Sequence, residues 1–158
     1  MYITFSEYSE LYDPIDGKLF NRLSYEAGRL MDNHTTGIDG VKKLKVAMPV
    51  DSDAMEAVKR CAAAITNLLY RINEAESASG YELSDQGRRG KVITHVTAGN
   101  ESISYSSGAS TDVDKAVLDI PTRDSLIKAT IREYLSGVTD ANGVNLLFMG
   151  PYPRRCLC

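Results

Sequence analysis

Apolar and polar positions alternate most regularly between Asp53 and Ser77. Met55, Val58, Ala62, Ile65, Leu69 and Ile72 recur at spacings of three and four. That spacing places them on one face of a helix, and a face of this kind needs a helical partner. Cys61 and Leu68 broaden the seam, which favours a globular bundle over a two-stranded coil. Asp53 with Glu56 has the form of a capping box, so the helix is predicted to begin there and run to about Ser77, a span of roughly 36 Å.

Three further helices follow from similar patterns. Thr4 and Glu7 form a capping box at the start of the chain, with Ile3 and Tyr8 at the two staple positions around it. Phe5, Tyr8 and Tyr12 share a face, and Asp13-Pro14 ends the helix because proline disfavours helical geometry in the residue before it. A second helix is predicted from about Gly17 to about Thr35. Its apolar stripe is Leu19, Leu23, Ala27 and Leu30, flanked by Phe20 and Met31, with Gly37 as the stop. The segment from Gly37 to Ser52 carries Gly40, Lys42, Lys43, Lys45 and Pro49 and reads as a connection. The last helix follows Pro121, a good first-turn residue. Leu126, Ile127, Ile131, Tyr134 and Leu135 give its apolar face, and Gly137 closes it. The predicted core comprises Leu23, Leu30, Val58, Ile65, Leu69, Ile131 and Leu135.

Residues 79–119 differ in character. Glycine and serine are frequent and helical periodicity disappears. Val92 to Val96 and Ser102 to Tyr105 are rich in strand formers, and Gly99-Asn100 between them suits a two-residue hairpin turn. That turn sets Val96 opposite Ile103 and Thr94 opposite Tyr105. An isolated hairpin is marginal in water, so this one needs a neighbour, either the bundle or another subunit. The tail, 138–158, has an Asn142-Gly143 turn, then the apolar run Leu146-Leu147-Phe148-Met149, then Pro151, Pro153 and Arg154-Arg155. The prolines predict an extended end. An apolar run of this kind must dock somewhere: on its own bundle or, the option favoured here, on a neighbouring subunit or another partner protein. The predicted fold class is mainly α: a small antiparallel bundle of about four helices, with a protruding β-hairpin or loop at 79–119 and an extended C-terminal tail, all within a single domain spanning 1–158.

Composition narrows the function. The chain has 158 residues, enough for one domain with a real core. Hydrophobic residues make up 43% and charged residues 25%, an ordinary globular balance. A net charge of −3 does not suggest a protein that coats nucleic acid or a polybasic membrane binder. The longest apolar runs fall far short of a membrane span. MYITFSEYSELYD lacks the basic start and apolar block of a secretory signal, so cytoplasmic synthesis is expected. Cys61 falls in a helical pattern and reads as a small hydrophobe. Cys156 and Cys158 read as incidental thiols near a chain end.

The order of the segments resembles the head–tail connector, or head-completion adaptor, family of long-tailed phages and Gram-positive prophages. MYITFSEYSEL is similar to the family's opening helix, FNRLSYEAGRLMDNHT to its second and AMEAVKRCAAAITNLL to its third. IREYLSGVTDANGVNLLFMG, the most distinctive piece, resembles its last helix, glycine stop and short extended tail. The hairpin region matches only in character. The resemblance implies a helical protein that assembles as a homo-oligomeric ring, typically dodecameric, beneath the portal protein. The ring extends the channel through which packaged DNA passes and offers a platform to the next connector or tail-completion protein. It implies a place at the virion head–tail interface after assembly in the host bacterial cytoplasm, with no cofactor and no membrane partner.

No signature of catalysis stands against that reading. The chain has no phosphate-cradling GxxxxGK[ST] loop, GxSxG elbow or HExxH helix. His34 near a helix end and His95 in the hairpin read as carbonyl-capping or solvent-facing residues. Cys156 and Cys158 lack the second ligand pair of a structural zinc site. Asp51, Asp53 and Glu56 surround a helix start, where acids stabilise the dipole. No enzyme is expected. Tyr25, Tyr81, Tyr105 and Tyr152 are candidate interface anchors, because the ring is apolar and the hydroxyl tolerates water. The candidate partner-binding residues are Ile103 and Tyr105 in the hairpin, and Leu146, Leu147, Phe148, Tyr152, Arg154 and Arg155 in the tail. The competing expectation, a small helical nucleic-acid-binding or regulatory protein, is weakened by the acidic net charge and the lack of a basic helix face.

Overall fold

The computed structural model describes residues 1–78, 95–98, 101–104, 112–113, 116 and 119–153. Among these the protein is mainly helical. Five helices are present: α1 (Phe5–Leu11), α2 (Gly17–His34), α3 (Lys43–Val46), α4 (Ser52–Ala78) and α5 (Ile120–Leu135). Two short strands, β1 (His95–Ala98) and β2 (Glu101–Ser104), lie between α4 and α5. They pair antiparallel with Val96 opposite Ile103 and His95 opposite Ser104. Gly99, Asn100, Tyr105 and the Thr94–Tyr105 pair lie outside the described residues.

The chain divides into two compact units. One comprises Met1–Leu69 and Ile127–Cys158, the other Tyr70–Leu126. In the second unit Ile72 and Ala116 are buried. The first unit carries most of the described core.

The helices start where capping chemistry starts them. Thr4 and Glu7 form the expected capping box: the Glu7 amide donates to Thr4 Oγ1 at 3.3 Å, and the Thr4 amide donates to Glu7 Oε2 at 2.8 Å. Ile3 and Tyr8, at the staple positions, are both buried. Asp16 caps α2 by accepting from the amides of Lys18 and Leu19, each at 3.0 Å. At α4 the expected cap is two residues late. Asp51 holds the start, accepting from the Ala54 amide at 3.0 Å. The sequence offers an acid at both Asp51 and Asp53, and the helix takes the earlier one. Asp119 caps α5 in the same way through the Thr122 amide at 3.0 Å.

The seam of α4 is core as predicted at Val58, Ala62, Ile65, Leu69 and Ile72, with Cys61, Ala63 and Thr66 buried beside them. Met55, at its outer end, is exposed. On α2 the buried face is rotated from the expected stripe. It runs through Phe20, Leu23, Ala27 and Met31, with Ser24 and Gly28, whereas Leu19 and Leu30 are only half-buried. The aromatic residues of α1 set that rotation. The Phe20 ring centroid lies 5.3 Å from that of Phe5 and 5.4 Å from that of Tyr8, and edge or tilted aromatic pairs of this kind add stability beyond area burial. On α5 Ile127, Ile131 and Leu135 are buried, as expected.

Polar groups fasten the helices as well. Lys59 of α4 pairs with Glu7 of α1 at 2.6 Å. The Tyr2 hydroxyl donates to Asp32, whose other oxygen pairs with Lys45 at 3.2 Å. Gly28 makes room for Tyr2: a Cβ there would meet the ring at 3.4 Å. Burial and the Asp32 carboxylate push the Tyr2 hydroxyl above its ordinary pKa.

Candidate interaction surface

The stretch read as a connection contains the one-turn helix α3, and α3 exists to aim one side chain. Lys43, in its first turn, is fully buried. Its ammonium donates to the carbonyl oxygen of Leu146 at 3.0 Å and also to that of Phe148. Burial holds its pKa below the ordinary lysine value, against the opposing pull of the Asp140 and Asp39 carboxylates. A buried charge persists only where hydrogen bonds replace its water. Here the tail backbone supplies them.

Asp140 organises the other half of this clasp. It is buried, and its Oδ1 accepts from the amides of Asn142 at 2.8 Å and Val144 at 2.9 Å. Those bonds close the turn predicted at Asn142-Gly143, where Gly143 takes a φ of 74° that a side chain would resist. Asp140 Oδ2 accepts from the Tyr152 hydroxyl at 2.5 Å. The Tyr152 amide donates to Asp39 Oδ2 at 2.8 Å, and the Ile38 amide to the Met149 carbonyl at 3.0 Å. Gly37 faces the Gly150 carbonyl so closely that an added Cβ would stand 2.8 Å from its oxygen.

The tail therefore folds back on its own unit, the option disfavoured from sequence. Leu146, expected to bind a partner, is fully buried at home. It is the anchor of the tail, because its side chain is enclosed while its carbonyl holds Lys43. Tyr152 is half-buried and its hydroxyl is engaged inside the clasp. Leu147 is half-buried. Phe148 and Met149 stay exposed, and Ile38 beside them is 81% exposed. Ile103 stands on β2, while Tyr105, Arg154, Arg155, Cys156, Cys158 and Tyr81 lie outside the described residues. Tyr25 is exposed on α2.

Two depressions flank the tail. A broad groove of about 910 Å³ is lined by Val46, Ala47, Ala141, Asn142, Val144, Tyr152 and Pro153. A smaller one, about 300 Å³, has Ile131, Leu147 and Met149 as its apolar lining, with Asn33, His34, Lys128 and Arg132 around them. Sequence reasoning missed Lys43, Asp39, Asp140, Lys128 and Arg132. Only Asp140 left a readable signal, as an acid two residues ahead of an Asn-Gly turn.

Among the described residues no group of His, Cys, Asp and Glu side chains could hold a metal ion. No described helix is long and apolar enough to cross a membrane. The arrangement offers packing surface and hydrogen-bonding backbone. No protein-family model matches the chain, and no curated protein or solved structure matches it either.

Proposed function

We propose that this protein is the subunit of a homo-oligomeric ring that joins a phage head to its tail. In this reading it sits beneath the portal protein, extends the DNA channel and presents a platform to the next connector or tail-completion protein. Its work is binding and geometry, without a cofactor or catalysis. The order of helices, glycine stop and tail, which resembles the connector family, supports the class.

The observation that carries the reading is the way the tail is built. Leu146 and Lys43 fix the segment rigidly, while the neighbouring Phe148, Met149 and Ile38 are left exposed. Apolar side chains gathered on a fixed scaffold mark a surface that meets another protein. The β1–β2 hairpin is the second assembly element, projecting towards a neighbouring subunit and steadied by it, with Ile103 and Tyr105 at that contact. Arg154 and Arg155 follow the clasp and meet the portal surface or channel DNA. Assembly takes place in the host bacterial cytoplasm, and the finished ring lies at the virion head–tail interface.

Electron microscopy of the purified protein, alone and with its portal, tests the proposal. Rings of this chain seated on the portal are the expected outcome. A protein that forms no ring in either sample overturns it.

A further inference from the structure

Most candidate features explain themselves within one subunit. The Leu146 and Phe148 carbonyls satisfy Lys43, Tyr152 satisfies Asp140, and Tyr2, Asp32 and Lys45 satisfy one another. The depression of about 300 Å³ beside the tail does not. Its lining combines three apolar side chains with four nitrogen-bearing ones, Asn33, His34, Lys128 and Arg132, and includes no carboxylate. Lys128 and Arg132 are both exposed, one turn apart on α5. A cationic rim around an apolar floor is complementary to an apolar side chain flanked by acids.

The chain itself carries such a feature. Leu11, the last residue of α1, is 41% exposed. Glu10 and Asp13 flank it, both exposed, and neither forms an ion pair among the described residues. Other exposed apolar residues with acidic neighbours are less well suited. Glu7, close to Phe5, is paired with Lys59; Glu56, next to Met55, is paired with Arg60; Asp51, next to Val50, caps α4.

Leu11 ends α1, whereas the depression is formed by the last turn of α2, α5 and the tail; Tyr12, next to Leu11, interacts with Tyr134 of α5. The rings of Phe5 and Tyr8 pack on Phe20 in the first turn of α2. Asn33 and His34, in its last turn, line the depression. Phe20 and His34 are separated by about 21 Å along the helix. The two features are built from different residues, so a contact between them in two copies joins unlike surfaces. Contacts of that head-to-tail kind close into rings when the rotation permits.

We infer that the end of α1, Glu10-Leu11 with Asp13, docks in the depression formed by Ile131, Leu147 and Met149 beneath Lys128 and Arg132 of a second copy of this chain. The inference deepens the ring reading and rests on it, by naming the two surfaces that meet.

Charge reversal with rescue tests it on the full chain. Lys128→Glu with Arg132→Glu should weaken self-association by about tenfold or more, as should Glu10→Lys with Asp13→Lys, because like charges then face each other across the contact. Mixing the two reversed proteins, or combining all four substitutions, should restore assembly. Sedimentation velocity reads the oligomer, electron microscopy of portal-bound samples reads the ring, and a thermal melt shows that each variant is folded. Rings that persist unchanged in either reversed variant, or losses that the complementary partner does not rescue, overturn the docking and leave the ring reading standing. A wild-type chain that stays monomeric alone and on the portal overturns both.

Discussion

The Lys43 ammonium and the Leu146 carbonyl oxygen meet at 3.0 Å across 103 positions of sequence. The contact turns a terminal extension into part of the core. The lysine loses its water and gains the tail backbone, and the tail gains a fixed path over α3.

Replacing that lysine should loosen the tail first. Lys43→Met keeps most of the buried stem but leaves the carbonyls of Leu146 and Phe148 without their donor. The expected cost is about 1–3 kcal/mol, the usual penalty for an orphaned buried polar group. Because burial lowers the pKa of Lys43 in the fold, the unfolded chain binds more protons between the folded value and 10.5. The contribution of Lys43 to stability therefore rises with pH across that window. Urea unfolding at several pH values should show the gap between wild type and variant widening as pH approaches 10.5. A gap that narrows would mean that the ammonium is favoured by the fold.

Anchor and surface should separate within one short segment. Leu146 is fully buried, so Leu146→Ala should cost about 2–5 kcal/mol in a thermal or denaturant melt. Met149 is 60% exposed, and Met149→Ser should stay within about 0.5 kcal/mol in the isolated protein. The same change should impair binding to a portal or a neighbouring subunit. Equal melts for the two variants would mean that the tail is not divided in this way.

Periodicity made the helices legible because each buries a continuous stripe. The seam from Val58 to Ile72 and the face of Ile127, Ile131 and Leu135 follow directly from spacing. The rotation of α2 was not legible. Leu19 and Leu30 satisfy the same spacing as Phe20 and Met31, and only the rings arriving from α1 decide between them. Lys43 was invisible for a different reason. A lysine among lysines and glycines reads as solvated, and nothing local announces a carbonyl more than a hundred residues away. Of the tail, the turn at Gly143 was readable from Asn142-Gly143, whereas the division between buried Leu146 and exposed Phe148 and Met149 depends on α3 lying beneath.

Cys61 should behave as core and not as a reactive thiol. It is fully buried, and burial pushes its pKa up to about 12. The thiolate is the reactive form, so alkylation at pH 8 should be negligible while the protein is folded. Mass spectrometry of the Cys61 peptide after brief labelling, with and without urea, checks this. Rapid modification without urea would show that the α4 seam opens locally.

The pair formed by Glu7 and Lys59 gives a second titration with the opposite course. The Lys59 ammonium, followed by the Thr4 amide and hydroxyl, holds the Glu7 carboxyl down at about 2. A depressed folded value means that the stabilisation is complete above the ordinary value of 4.5 and disappears as pH falls to about 2. Glu7→Gln can keep the capping box, since glutamine also reaches the cap amide, but it removes the charge. Both side chains are about one-third exposed, so solvent screening keeps the loss at pH 7 small. Wild type and variant should therefore differ at pH 7, draw together between 4.5 and 2, and coincide below that. Lys59→Met should show the same loss at pH 7, and adding Glu7→Gln to it should change little further, because the two groups act on each other. A difference that persists undiminished at pH 2, measured by urea unfolding, would assign the effect of Glu7→Gln to the cap and not to the ion pair.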